Sequence, residues 1–140
     1  MTETWQFWAL SAAVFAAMTA ILAKLGVDTM DPDAATLVRT AVVLVLLAAI
    51  LVFRGKIGAL ASIDRRAALF LLLSGLATGA SWLCYFRALK LGEASRVAPI
   101  DKLSVVFVAV LGALLLGERL SATGWLGVAM IAGGAVLIAL

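Results

Sequence analysis

The sequence of 140 residues contains no histidine and a single cysteine, and only 14% of its residues are charged. Without histidine, the chain lacks imidazole acid–base catalysis, histidine-activated nucleophiles and most transition-metal sites. Cys84 alone can form neither an internal disulfide nor a cysteine cluster for zinc or iron–sulfur. We therefore predict a protein that is not an enzyme and that has no catalytic residues, no metal site and no cofactor.

Hydrophobic residues make up 65% of the chain, against about 45–50% in soluble domains, which also carry about 25% charged residues. A core of 140 residues cannot hide so much apolar surface from water. The lipid bilayer is therefore the predicted environment. The 11 lysines and arginines give a net charge of only +3, and because they form no basic stripe, no nucleic-acid partner is expected.

Five apolar segments are long enough to cross a bilayer, which takes about 20 residues in a helix. They span residues 5–23, 34–53, 67–89, 97–116 and 121–140. Each run is continuous and not alternating, which excludes a transmembrane barrel. We predict an all-α integral membrane protein, a bundle of five transmembrane helices that forms one domain over residues 1–140. Pro99 is expected in the first turn of the fourth helix, where its missing N–H does no harm.

An odd number of spans places the two termini on opposite faces of the membrane. The face of the N-terminus would collect five basic residues, namely Arg54, Lys56, Arg65, Arg66 and Arg119. The opposite face would hold four, namely Lys24, Arg87, Lys90 and Arg96. This small excess favours an orientation in the cytoplasmic membrane with the N-terminus on the cytoplasmic side. The near-balance also permits insertion in both orientations.

Five helices supply at most one of the two repeats that commonly surround a transporter's substrate site. We therefore predict a homodimer, which dual insertion would make antiparallel, or a pair with a homologous partner. Gly75 and Gly79 form a GxxxG spacing in the third helix. Such small residues serve either contacts within the bundle or a dimer face, and the spacing alone does not choose between them.

Four ionisable side chains fall inside the predicted spans, all toward one leaflet: Arg39, Arg87, Asp101 and Lys102. Arg39 either snorkels to the lipid headgroups or faces an aqueous cavity. In the second case it would pair with Asp101 or hold an anionic group of a substrate. Because isolated charges in lipid are costly, the cluster predicts a polar vestibule. Trp82 and Tyr85 are either belt residues at the interface or a stacking wall for an organic substrate.

The second half of the chain resembles a known family in its motifs. The sequences YFRALKLG at 85–92 and VAPIDKLS at 97–104 look like the junction of the third and fourth helices in EamA domains of the drug/metabolite transporter superfamily. The ending LGERLS at 116–121 and the glycine-rich fifth helix are also similar. The resemblance is specific over residues 80–140 and rests on helix count in the first half.

The resemblance implies a five-helix unit that most relatives carry twice, in inverted orientation, around a central cavity. This chain carries the unit once, like half-size bacterial members. Relatives move amino acids, nucleotide-related metabolites and drugs. Gly117, Glu118 and Arg119 take the place of the family's Gly-Glu-Arg turn, a structural motif. Related small exporters carry a carboxylate in the first helix for proton coupling, and here Asp101 is the only acid within a span that could replace it.

Together these observations predict a transmembrane transporter of small organic metabolites or drugs that works as a dimer by alternating access. Arg39, Arg87, Asp101 and Lys102 would line its polar vestibule, with Trp82 and Tyr85 as the aromatic wall. The alternative is a non-transporting membrane subunit that stabilises or regulates a larger complex, in which the same charges serve assembly.

Overall fold

The computed structural model describes residues 4–140, so residues 1–3 of the predicted domain lie outside the described residues. Within this range every regular element is a helix and no strand occurs. The six α-helices are α1 (Trp5–Val27), α2 (Pro32–Phe53), α3 (Arg65–Leu91), α4 (Ala94–Asp101), α5 (Ser104–Leu115) and α6 (Ala122–Ala139). A short 3-10 helix, Ile57–Ser62, joins α2 to α3.

Five helical segments are long and apolar enough to cross a membrane. They are α1, α2, α3, the α4–α5 pair taken together as Ala94–Leu115, and α6. This confirms the predicted all-α fold with five spans, and the chain is an integral, multi-pass membrane protein. Several helices extend beyond their apolar runs, because hydrophobicity marks the part of a helix that lies in lipid and capping residues decide where it begins.

The start of α2 shows how a cap sets a helix boundary. The carboxylate of Asp31 accepts hydrogen bonds from the backbone N–H groups of Asp33 and Ala34, both at 3.0 Å. Pro32 then occupies the first helical position, where its fixed φ suits a helix and its missing N–H is not needed. The helix therefore begins two residues before the predicted start, and Arg39 becomes its eighth residue.

The fourth span is interrupted, which differs from the single helix predicted at 97–116. α4 begins at Ala94, so Pro99 is its sixth residue and not part of the first turn. A proline inside a helix removes one backbone hydrogen bond and crowds the preceding turn. After Pro99 the backbone forms hydrogen bonds between residues three apart, as in a 3-10 turn. Lys102 N–H donates to the carbonyl of Pro99 at 3.1 Å, and Leu103 N–H donates to the carbonyl of Ile100 at 3.0 Å.

The helices divide into two compact units. Residues 22–90 form one unit, which contains α2, α3 and the end of α1, and in which Val27, Phe86 and Leu89 are buried. The other unit joins residues up to 21 with 91–140, and there α6 packs against α4 and α5. The single domain predicted for the chain stays a prediction.

Most large apolar side chains of the spans are exposed. Leu44, Leu47, Leu71 and Leu72 are all more than half exposed, although they lie in the middle of α2 and α3. Such surfaces are stable only against lipid or another protein chain. The small interiors of the two units therefore agree with a protein whose surroundings are hydrocarbon.

Candidate functional site

Two lysines link the ends of α1 and α3 in the unit 22–90. The Nζ atom of Lys24, in the last turn of α1, donates to the carbonyl oxygen of Leu89 at 2.8 Å. In return, the Nζ atom of Lys90 donates to the carbonyls of Val27 and Asp28, each at 2.8 Å, and to that of Met30 at 3.3 Å. Each lysine therefore caps the other helix.

This arrangement satisfies groups that a helix end leaves open. The last four carbonyls of an α-helix have no partner within the helix, and the helix dipole favours a cation there. Lys24 also forms an ion pair with Asp28 at 2.9 Å. Sequence reasoning missed this contact, and a lysine in the last turn of each of the two helices is the signal that could have indicated it.

Arg87 forms an ion pair with Asp33, which sequence reasoning also missed. The Nη2 atom of Arg87 lies 3.1 Å from Oδ2 of Asp33, between the end of α3 and the first turn of α2. Both side chains are about half exposed or more, so the pair contributes at most about 1 kcal/mol. The pair joins the end of α3 to the first turn of α2.

Arg39 stacks on an aromatic ring. Its Cζ atom lies 3.3 Å from the centroid of the Trp82 ring, which places the guanidinium directly over the indole face. Both side chains are partly buried, and a desolvated cation over tryptophan is stabilised more than an exposed one. The sequence suggested Asp101 as the partner because both residues lie at similar depth; the contact that the structure shows is with Trp82.

The aromatic residues around Trp82 form a small cluster on α3. Tyr85 meets Trp82 edge-on with ring centroids 5.6 Å apart, and Phe86 lies tilted against it at 5.8 Å. Phe86 is buried, which anchors the cluster in the unit. One face of Trp82 is covered by Arg39. The role of Trp82 and Tyr85 as a stacking wall for an organic substrate stays a prediction.

Asp101 and Lys102 belong to the other unit, at the interruption of the fourth span. Asp101 is the last residue of α4, Lys102 is its cap, and the Nζ and Oδ2 atoms of the two lie 3.0 Å apart. A carboxylate and an ammonium group thus sit where the helix is broken. The proposed pairing of Arg39 with Asp101, and a vestibule shared by all six residues, stay predictions.

The Gly-Glu-Arg turn ends α5. Gly117 has a φ of +69°, a conformation that L-residues with a side chain rarely adopt. It lets the chain reverse so that Glu118 N–H bonds the carbonyl of Gly112 at 3.1 Å. The Glu118 carboxylate lies over Gly112, where a Cβ would meet its oxygen at 2.8 Å. Arg119 is exposed, and the turn therefore acts as a structural stop.

Comparison with known proteins agrees with this architecture. Residues 3–140 match the model of the EamA-like transporter family. The chain belongs to the EamA-like transporter family. A relative from Sinorhizobium sp., named "Uncharacterized transporter in cobO 3'region", is 59% identical over 139 residues, which are 99% of each chain. No solved structure matches. The resemblance seen in residues 80–140 is confirmed and extends over nearly the whole chain.

Proposed function

We propose that this member of the EamA-like transporter family moves small organic metabolites or drugs across the cytoplasmic membrane as a dimer, by alternating access. The observation that carries the proposal is the interrupted fourth span, with Asp101 and Lys102 at the interruption. Transporters build their substrate and ion sites on such broken helices, because unwound backbone and helix ends supply polar groups at membrane depth. Ionisable residues inside a span are expensive and are associated with such pathways.

Each polar residue has a role in this proposal. Asp101 and Lys102 act at the break in one unit, and Asp101 is the candidate for carrying a coupling proton. Arg39 and Arg87 act in the unit 22–90, where Trp82 holds the first and Asp33 the second. Tyr85 supports Trp82. No cofactor is required.

The uncovered GxxxG spacing of α3 supports a dimer. Within the unit 22–90, a Cβ added at Gly75 or Gly79 would meet no atom within 4 Å. A GxxxG spacing allows close approach of two helices in lipid, and here no described helix of the same unit uses it. A second copy, parallel or antiparallel, or a homologous chain would supply the helix that packs there.

Transport by the purified protein tests the proposal. The chain is reconstituted into liposomes and screened by electrical recording against panels of amino acids, nucleosides, organic acids and cationic drugs. Saturable flux is expected for at least one compound, with Asp101→Asn and Arg39→Ala each lowering its rate about tenfold or more, equivalent to about 1.4 kcal/mol in the barrier.

Asp64→Asn is the matched control for Asp101→Asn. Asp64 lies outside the spans and its carboxylate accepts a bond from Ala67 N–H at 2.8 Å, which an asparagine oxygen can also accept. Its rate should stay at the native level. If no compound moves, or if folded Asp101→Asn and Arg39→Ala proteins transport normally, the chain is better described as a non-transporting subunit of a larger complex.

A further inference from the structure

Four cations of the unit 22–90 lie in the half of the unit where α1 and α3 end and α2 begins, with Arg39 about two turns into α2. Three of them have oxygen partners there. Lys24 bonds Asp28 and a carbonyl, Lys90 bonds carbonyls, and Arg87 pairs with Asp33. The remaining acid of this region, Asp31, accepts bonds from backbone N–H groups. Of the four, Arg39 is the cation that forms no hydrogen bond or ion pair with an oxygen atom of the described residues of this unit.

The contact that Arg39 makes uses one face of its guanidinium group. With Cζ 3.3 Å from the centroid of Trp82, the guanidinium lies against the ring. Its N–H groups point outward in the plane of the group and form no hydrogen bond with any residue of the unit 22–90 that the structure describes. A partly buried guanidinium inside a span needs acceptors for these donors.

The outward-facing N–H groups of the Arg39 guanidinium have the geometry of an oxyanion receptor. The N–H groups of arginine form a rigid planar fork that matches the two oxygens of a carboxylate or a phosphate. Stacking on an aromatic ring leaves that fork open and restrains its orientation. The aromatic cluster of Tyr85, Phe86 and Trp82 therefore holds Arg39 ready for an anion.

We propose that Arg39, positioned by Trp82, binds the anionic group of the transported compound, so that the substrate class is organic anions with a carboxylate or a phosphate-like group. The proposal rests on the transport function above and narrows it, since it disfavours the cationic drugs among the candidate substrates. A lipid phosphate has the same oxyanion chemistry, and the experiment separates the two sources.

Quenching of Trp82 fluorescence by iodide gives a local test. A variant with Trp5, Trp8 and Trp125 replaced by phenylalanine leaves Trp82, the ring under Arg39, as the single fluorophore. Iodide should quench it about tenfold more strongly than in the same protein with Arg39→Gln, because a cation in a low-dielectric site concentrates anions. Neutral acrylamide reports how much of the Trp82 ring each protein exposes, so the iodide quenching of each protein is compared after division by its acrylamide quenching.

Arg66→Gln is the matched control. Arg66 also lies over an aromatic ring, with Cζ 5.9 Å from the centroid of Phe70, and its removal should leave the iodide quenching of Trp82 unchanged. In the single-tryptophan protein itself, acetate or methylphosphonate should protect Trp82 from iodide more than chloride does at equal ionic strength. Methylammonium should give no protection. This protection experiment is made on a protein that keeps Arg39.

Vesicle composition separates the sources of the anion. Protection by acetate in vesicles of a neutral, phosphate-free galactolipid as well as in phosphatidylcholine vesicles supports a soluble anion, because phosphatidylcholine itself carries a phosphate. Iodide access in the galactolipid that is lost in phosphatidylcholine would assign the site to a lipid phosphate and overturn the proposal. Equal iodide quenching of the single-tryptophan protein and its Arg39→Gln variant, or protection no better than that by chloride, would also overturn it. Because quenching requires no flux, this test fails or succeeds independently of transport.

Discussion

Lys90 ties the end of α1 to the end of α3, so its replacement by methionine should destabilise the unit 22–90. The ammonium group makes two bonds of 2.8 Å, to the carbonyls of Val27 and Asp28. A hydrogen bond from a charged donor contributes about 1.5–3 kcal/mol when well shielded. The Lys90 side chain is exposed, so we take about 1 kcal/mol for each bond and expect a total loss of about 2 kcal/mol.

The free energy of unfolding is measured in mixed micelles with increasing dodecyl sulfate, followed by the helical circular dichroism signal. Lys56→Met is the matched control, because Lys56 lies outside the spans and its ammonium group has no partner among residues 4–140. The Lys90→Met midpoint in a thermal scan should fall by about 6–10 °C. A difference of less than about 0.5 kcal/mol between the two variants would refute the idea that lysine capping holds these helices together.

Three further outcomes are expected. Gly117→Ala should lower the free energy of unfolding by about 1–2 kcal/mol, because φ is +69° there. Gly112→Ala requires only that the flexible Glu118 carboxylate shifts, and it should cost less than about 0.5 kcal/mol. In vesicles, Gly75→Ile should raise the dissociation constant of the dimer about tenfold, as measured by energy transfer between labelled chains. Ala77→Ile, on the opposite side of α3, should leave it unchanged. Equal effects of the two substitutions would show that the GxxxG spacing is not the dimer interface. A single cysteine at Ser62, after removal of the native cysteine, should be labelled from the cytoplasmic side alone, and two-sided labelling would indicate dual insertion.

The spans could be predicted from the sequence because hydrocarbon imposes a simple requirement of length and apolarity. The interruption of the fourth span could not, since the effect of Pro99 depends on where the helix begins. The residues just before Val97 are polar, so hydrophobicity places the start of this helix at Val97 and not at its actual start, Ala94. Pro99 therefore lies in the interior of the helix, where it removes a backbone hydrogen bond.

The sequence could indicate which charged and aromatic residues lie inside the spans, but not which of them contact one another; that they form a site stays a prediction. Depth along the helices suggested Asp101 as the partner of Arg39, but depth does not say which helix faces which. The position of Trp82 over Arg39 and of Asp33 beside Arg87 depends on how α2 and α3 pack. Helix rotation of this kind is set by packing in lipid, which one sequence does not reveal.

The most direct test of the central claim is substrate flux in liposomes that contain this protein alone. The account predicts saturable uptake of an organic anion, absent from empty liposomes, at a rate that Asp101→Asn lowers about tenfold or more and Asp64→Asn leaves unchanged. Correctly folded protein that moves no compound, or an Asp101→Asn variant that transports at the native rate, would contradict it.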